Sequence, residues 1–218
     1  MNITIITPPP FEPVTLEQVY QNLRLDPEGS PAAHPDDDML SRMITTARLD
    51  VEADARRCLI QQTLRMSMPG WPVTYDTWAQ SWNRNDMVRA IRLYKAPVMS
   101  ISSVKYYDTN NALQTVSASD YYFTDEVVPE LRFVPTFVTP TTFNRPDAVR
   151  IEYVCGYAPS DPTPTTQAEY AANVPSPLKD AILLGVQMLY DDMAPADRDA
   201  FDRTQKALVR PYKLLLDV

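Results

Sequence analysis

The sequence predicts an α+β protein: a bundle of about four helices, one of them long and central, with a small antiparallel β-sheet domain inserted and extended termini. Two observations carry this. Apolar residues recur at three- and four-residue steps early and late in the chain, whereas between residues 62 and 155 the period falls to two. A third is the scarcity of turns made by glycine: 21 Pro stand against 4 Gly, so connections must be long and extended.

The long helix is predicted over residues 38–59. Leu40, Met43, Ile44, Ala47, Val51, Ala55 and Cys58 form one stripe. Asp36, Asp37 and Asp38 stand where unpaired N–H groups and the positive end of the dipole favour acids, and Arg56 and Arg57 are expected in its last turn. At 1.5 Å per residue it would be a rod of roughly 33 Å, long enough to serve as a spine.

Before it, residues 1–14 read as an extended arm ending in proline-rich backbone. The next helix opens with a capping box, Thr15 with Gln18, and a staple of Val14 on Val19. Residues 26–35 are rich in breakers and form a mobile linker holding the only histidine, His34, read as a solvated loop residue. Residues 15–61 thus make the first helical part.

Strands follow at 62–68, 88–93, 101–107, 113–116, 121–123, 131–134 and 149–154, giving one compact sheet across residues 62–155. Asn110 and Asn111 supply a hairpin connection in which asparagine accepts positive φ. A proline-rich linker, 156–176, carries a brief helical turn at 166–172. The second helical part spans 177–209. Its helix from Pro177 to about Asp192 buries Leu178, Ala181, Ile182, Gly185, Met188 and Leu189; its last helix, 197–209, buries Ala200, Phe201, Thr204, Ala207 and Leu208. Asp191 and Asp192 fall at a helix C-terminus, where the dipole disfavours them, so an interface is their expected use.

Composition excludes several functions. A net charge of -8 argues against wrapping a phosphate backbone, though not against DNA passing nearby. Cys58 and Cys155 lack metal-type or redox-type neighbours and read as small hydrophobes. No signal peptide or membrane span is expected. The four glycines are too scattered for a phosphate loop, and no nucleophile elbow occurs. Glu52 with Asp54, or Asp125 with Glu126, are conceivable carboxylate pairs that nothing in the sequence tunes. Asp36, Asp37 and Asp38 could hold a hard cation, but helix-start acids give the same string. No catalytic residue, metal or cofactor is expected.

What remains points to protein contacts. Trp71, Tyr75, Trp78 and Trp82 crowd one polar stretch, as buried loop anchors or as exposed interface anchors. At the end, Arg210-Pro211-Tyr212-Lys213-Leu214-Leu215-Leu216 breaks at proline and then shows leucines with no helix to bury them, so this tail (210–218) is expected to dock on this subunit or another.

These residues carry a resemblance. Ile6-Thr7-Pro8-Pro9 through Val14-Thr15-Leu16-Glu17-Gln18-Val19 to Leu23-Arg24-Leu25-Asp26, then Asp37-Asp38-Met39-Leu40, Ala47-Arg48, Glu52 and Arg57-Cys58-Leu59-Ile60, resemble the opening of head-tail connector, or adaptor, proteins of tailed bacteriophages and prophages. Ala96-Pro97-Val98, Val104-Lys105-Tyr106-Tyr107-Asp108, Val149-Arg150-Ile151-Glu152-Tyr153 and Leu178-Lys179 continue it over most of the chain. The resemblance implies a structural subunit of a homo-oligomeric ring, twelve-fold in that family, in the virion neck and assembled in the host cytoplasm. Implied partners are the portal protein, a stopper or terminator (tail-completion) protein, and DNA that passes the channel without sequence-specific binding. On that reading the tail, with residues 1–13, is expected to dock on the portal, and because a surface of like charge lets a duplex slide past, the channel lining is expected to be polar or acidic. Another neck or tail-completion protein, or a small metal-dependent hydrolase using Asp36, Asp37 and Asp38, are the alternatives.

Overall fold

A computed structural model describes residues 1–29, 33–71, 90–124 and 128–214. They form two compact units: a sheet unit from Met1–Pro8 and Gln62–Gly156, and a helical unit from the described residues of Pro9–Gln61 and Tyr157–Leu215.

In the helical unit, α1 (Leu16–Leu23) starts as its sequence dictates. The Thr15 hydroxyl accepts from Gln18 N at 3.2 Å, and Gln18 Oε1 accepts from Thr15 N at 2.9 Å. Val14 and Val19 are buried beside this cap. Helix α2 (Asp37–Ala55) is the longest helix among the described residues, but it ends four residues before the expected Leu59. Arg56 takes the left-handed conformation at φ 53, and Arg57 N donates back to Glu52 O at 3.1 Å, a Schellman-type stop normally made by glycine. Arg56 and Arg57 therefore do not lie in the last turn. Cys58, Leu59 and Ile60 are fully buried in the turn beyond the helix instead.

A second capping box, Thr166 with Glu169, starts the short α3 (Gln167–Ala171). Helix α4 (Ser176–Tyr190) and α5 (Pro195–Val209) both open on proline in the first turn. The buried face of α5 differs from expectation: Gln205 and Val209 are buried and Phe201 and Leu208 half-buried, whereas Ala200, Thr204 and Ala207 face solvent. The cause is Gly185 on α4. A Cβ there would lie 2.8 Å from Gln205 Nε2 and 2.9 Å from Ala47 Cβ, so its absence opens the space in which the Gln205 amide donates to Ala181 O at 2.9 Å. The core of this unit combines Leu40, Ile44, Val51, Leu178, Ile182 and Val186 with Val14 and Val19; each such side chain is worth ~1.5–3 kcal/mol of burial.

The sheet unit holds two antiparallel sheets where one was expected. The strands are β1 (Asn2–Thr7), β2 (Gln62–Met68), β3 (Ala90–Arg92), β4 (Val98–Tyr107), β5 (Leu113–Thr115), β6 (Tyr121–Thr124), β7 (Glu130–Phe133) and β8 (Val149–Cys155). Their orders are β1-β2-β8-β4-β5 and β3-β7-β6. Strands β2 and β8 alternate strictly in burial along their whole length, Gln62 opposite Cys155 through to Met68 opposite Val149. On the other face Arg65 sits directly across from Glu152, with Nη2 2.6 Å from Oε1, which holds that carboxyl below its ordinary range. The Asp108 turn closes on β5 with Asn111 at φ 61, the asparagine conformation the sequence predicts. Residues 2–7 of the expected extended arm are paired as the edge strand β1, in register Asn2 to Ser67 through Ile5 to Leu64.

Candidate docking surfaces

The acid run at the start of α2 is a polar clasp. Asp36 is the N-cap residue but makes no side-chain cap bond; its Oδ2 accepts from the Tyr190 hydroxyl of α4 at 3.0 Å. Asp37 accepts from the Tyr20 hydroxyl of α1 and from His34 N at 3.1 Å. The Asp37 bond, then burial, pushes Tyr20 up to about 12, while the same bond holds Asp37 below the usual carboxylate range. Tyr190 is raised by Asp36 for the same reason. Asp38 is exposed. His34 is not a free loop residue: its Nδ1 accepts from Asp36 N at 3.2 Å, and its ring lies 6.3 Å from Tyr20. The run thus ties α1, α2 and α4 together. No group of three or more potential metal ligands occurs among the described residues. Immediately after Tyr190, at the C-terminal end of α4, Asp191 is exposed and accepts from the Gln187 amide at 3.2 Å, and Asp192 is exposed beside it.

Below the clasp, a buried ionic chain runs along α2. Arg48 Nε lies 2.6 Å from Glu12 Oε2 and Arg48 Nη1 3.1 Å from Glu52 Oε2, while Glu52 Oε1 accepts from Leu59 N at 2.8 Å. The chain holds the segment that enters α1 and the turn that leaves α2. Asp54, the other half of the imagined carboxylate pair, is occupied by Lys213 at 2.5 Å. Asp125 and Glu126 lie outside the described residues.

The C-terminal stretch folds back on its own subunit as far as Leu214. Pro211 cannot continue α5, so Arg210–Tyr212 forms a 3₁₀ turn. Leu214 N then donates to Ala55 O at 2.9 Å, giving a partner to a carbonyl that the end of α2 leaves unpaired, and Arg57 Nε donates to Tyr212 O. Leu214 is 1% exposed. Arg210, Pro211 and Lys213 are exposed and Tyr212 is half-buried. Leu215 and Leu216 lie outside the described residues.

Trp71 is an internal anchor. Its Nε1 donates to Pro140 O at 3.0 Å, and its ring meets Phe133, Tyr106 and Phe137 within 6 Å. Tyr75, Trp78 and Trp82 lie outside the described residues. Close by, Asp147 binds Arg145 at 2.6 Å and Arg150 at 2.5 Å, with the Arg145 guanidinium 3.6 Å from the Tyr107 ring centroid. The two arginines hold Asp147 down at about 2.

Some of the exposed surface of the described residues is apolar. Strand β1 terminates its sheet with Ile5 48% and Ile6 40% exposed, and Val138 is 80% exposed. No helix among the described residues is long and apolar enough to cross a membrane.

No protein-family model and no curated protein matches the chain. Solved structures do. A chain from the neck of an empty gene transfer agent (GTA) particle, computed with C6 symmetry, superposes with a TM-score of 0.73 at 16% identity, over 100% of this chain and 98% of that one. Chains from the virion of a native gene transfer agent particle (TM-score 0.70, 16% identity) and from a native GTA neck computed with C12 symmetry (0.69, 15%) match over the same shares. The fold of this chain is the fold of those neck components, from end to end.

Proposed function

We propose that this chain is a structural subunit of the neck of a phage-like particle: a head-tail connector, or adaptor, that forms a cyclic ring beneath the portal, extends the DNA channel and seats the next neck or tail component. The observation that carries the reading is end-to-end likeness to chains of gene transfer agent necks, with neither chain leaving more than a few residues unmatched. The side chains support it. Asp36, Asp37, Glu52 and His34 are committed to tyrosine hydroxyls, an arginine and backbone N–H groups that hold helices together. This is the bonding of a frame, and no reaction is assigned to it.

Charge supports the channel role. Acidic and basic residues balance across 62–156, so the excess of acid belongs to the helical segments. A like-charged wall lets a duplex slide, because no phosphate contacts have to be broken as it moves. The exposed Asp38, Asp191 and Asp192 are proposed as channel or interface acids. The turn Arg210–Tyr212 and buried Leu214 make a fixed base for the proposed portal-docking tail, residues 210–218.

Mixing the purified chain with its portal and imaging by negative stain tests the function; a ring stacked on the portal is expected, and a chain that stays apart from it contradicts the reading. Removing residues 215–218, which leaves Leu214 in place, should abolish portal capture in a pull-down without lowering the melting temperature. Unchanged capture removes the tail from the interface.

A further inference from the structure

The end of α2 is poor as a helix end and good as a seat for another segment. Asp54 stands in the last turn, where the negative end of the dipole disfavours an acid, and no basic residue shares that turn. Aspartate is also a weak helix former. The helix then stops on Arg56 in the left-handed conformation that glycine adopts at less cost, which sets Arg57 outside the helix. Ala55 is fully buried, so its carbonyl must find a partner in the protein.

Three consecutive residues at the root of the tail answer these features. Tyr212 O accepts from Arg57 Nε, the Lys213 ammonium lies 2.5 Å from Asp54 Oδ1, and Leu214 N donates to Ala55 O at 2.9 Å. They are held in turn by a carbonyl, a side chain and an N–H, and Lys213 between them is extended, with ψ 124. Two of the three bonds use backbone atoms of the tail, so they fix its path. The third adds little stability, because Lys213 and Asp54 have side chains 40% and 37% exposed and water screens such a pair. Placement is what it contributes.

We infer that Asp54 and Arg57 are positioning residues for docking: from the end of α2 they hold residues 212–214 in one path, so that the tail is aimed before it meets the portal. The inference rests on the connector reading above and deepens it. Neither residue needs to touch the portal to act. A segment already ordered in the free subunit spares the complex the entropy of ordering it on binding. Each residue whose backbone must instead be fixed at the moment of docking weakens the complex by about tenfold.

Full-length wild type, Asp54→Lys, Arg57→Ala and Arg57→Lys test it by melting temperature, by hydrogen exchange at the Leu214 amide and by titration against the purified portal. Asp54→Lys sets two ammonium groups against each other while giving the last turn of α2 the charge its dipole favours, so the melting temperature should hold or rise. Exchange at Leu214 should nonetheless quicken by roughly fivefold, and portal affinity should fall by about tenfold. Arg57→Ala should weaken capture likewise, and Arg57→Lys, whose ammonium can still donate to Tyr212 O, should restore most of it. Faster exchange with unchanged capture overturns the inference and leaves the connector reading intact. So do an unmoved Leu214 amide, an Arg57→Lys variant no better than Arg57→Ala, and a loss of capture that only tracks the melting temperature. A wild-type chain that does not capture the portal overturns both.

Discussion

Replacing Arg48 by alanine should cost the helical unit more than any surface change of equal size. The Arg48 and Glu52 side chains are 6% and 4% exposed, and Glu12 is 25% exposed. Without the guanidinium, water can reach Glu12 but not Glu52, whose carboxylate still accepts from Leu59 N. Removing one partner of a buried ion pair costs ~3–5 kcal/mol, most of it from the stranded charge. Since Glu12 is partly rehydrated, ~3–4 kcal/mol is expected, or roughly 10 °C in melting temperature for a chain of this size. The pair Arg48→Met with Glu52→Gln restores the aliphatic stem, keeps an acceptor for Leu59 N and leaves only the water-accessible Glu12, still bonded by Thr45, without its arginine, so it should cost only ~1–2 kcal/mol. Urea melts of both variants, followed by far-UV circular dichroism, measure the difference. An Arg48→Ala loss below ~1 kcal/mol, or equal losses in the two variants, would show that the ionic chain does not organise this unit.

Gly185→Ala should destabilise even though alanine favours a helix by ~1 kcal/mol. The new methyl would crowd Ala47 and displace the buried Gln205 amide, costs of ~1–3 kcal/mol for overpacking and ~1 kcal/mol for the lost bond. A net loss of ~1–2 kcal/mol in a thermal melt is expected, partly recovered by Ala47→Gly; a neutral or stabilising Gly185→Ala contradicts the close approach of α2, α4 and α5. For Asp147, a folded-state pKa of about 2 lies below the ordinary 3.8, so its contribution is complete above pH 4 and fades as pH falls toward 2. Asp147→Asn should therefore be less stable than the wild type at pH 6, and the gap should close near pH 2. A gap of equal size at both pH values contradicts the arginine clamp.

The strands and helix starts were legible because their signals are local. Period-two runs located β2, β4 and β8, and the Thr15 and Thr166 caps have the hydroxyl and the amide or carboxylate partner three residues on that make a capping box. Helix ends were not legible. The chain closes α1 and α2 with Arg24 at φ 56 and Arg56 at φ 53, and no rule based on glycine finds them. The Gln205 face was hidden because its burial depends on a missing atom at position 185, a fact of tertiary packing with no periodic trace. The ionic chain was equally obscure: Arg48 and Glu52 are four apart, the spacing of countless solvated helix pairs. Only the proximity of Glu12 and of Leu59 N makes this pair internal. Strand β1 was masked by the prolines that follow it, which made residues 1–14 look like one arm; pairing to a distant strand separates them.

The distribution of charge also bears on how DNA could move through the proposed ring. Surfaces that must not adhere are best made repulsive, and the excess acid lies in the helical segments. Screening at high ionic strength would therefore weaken the repulsion of the duplex. No retention of DNA by the assembled ring is expected at low salt in a gel-shift assay; binding at low salt that falls away as the salt rises would contradict a repulsive lining.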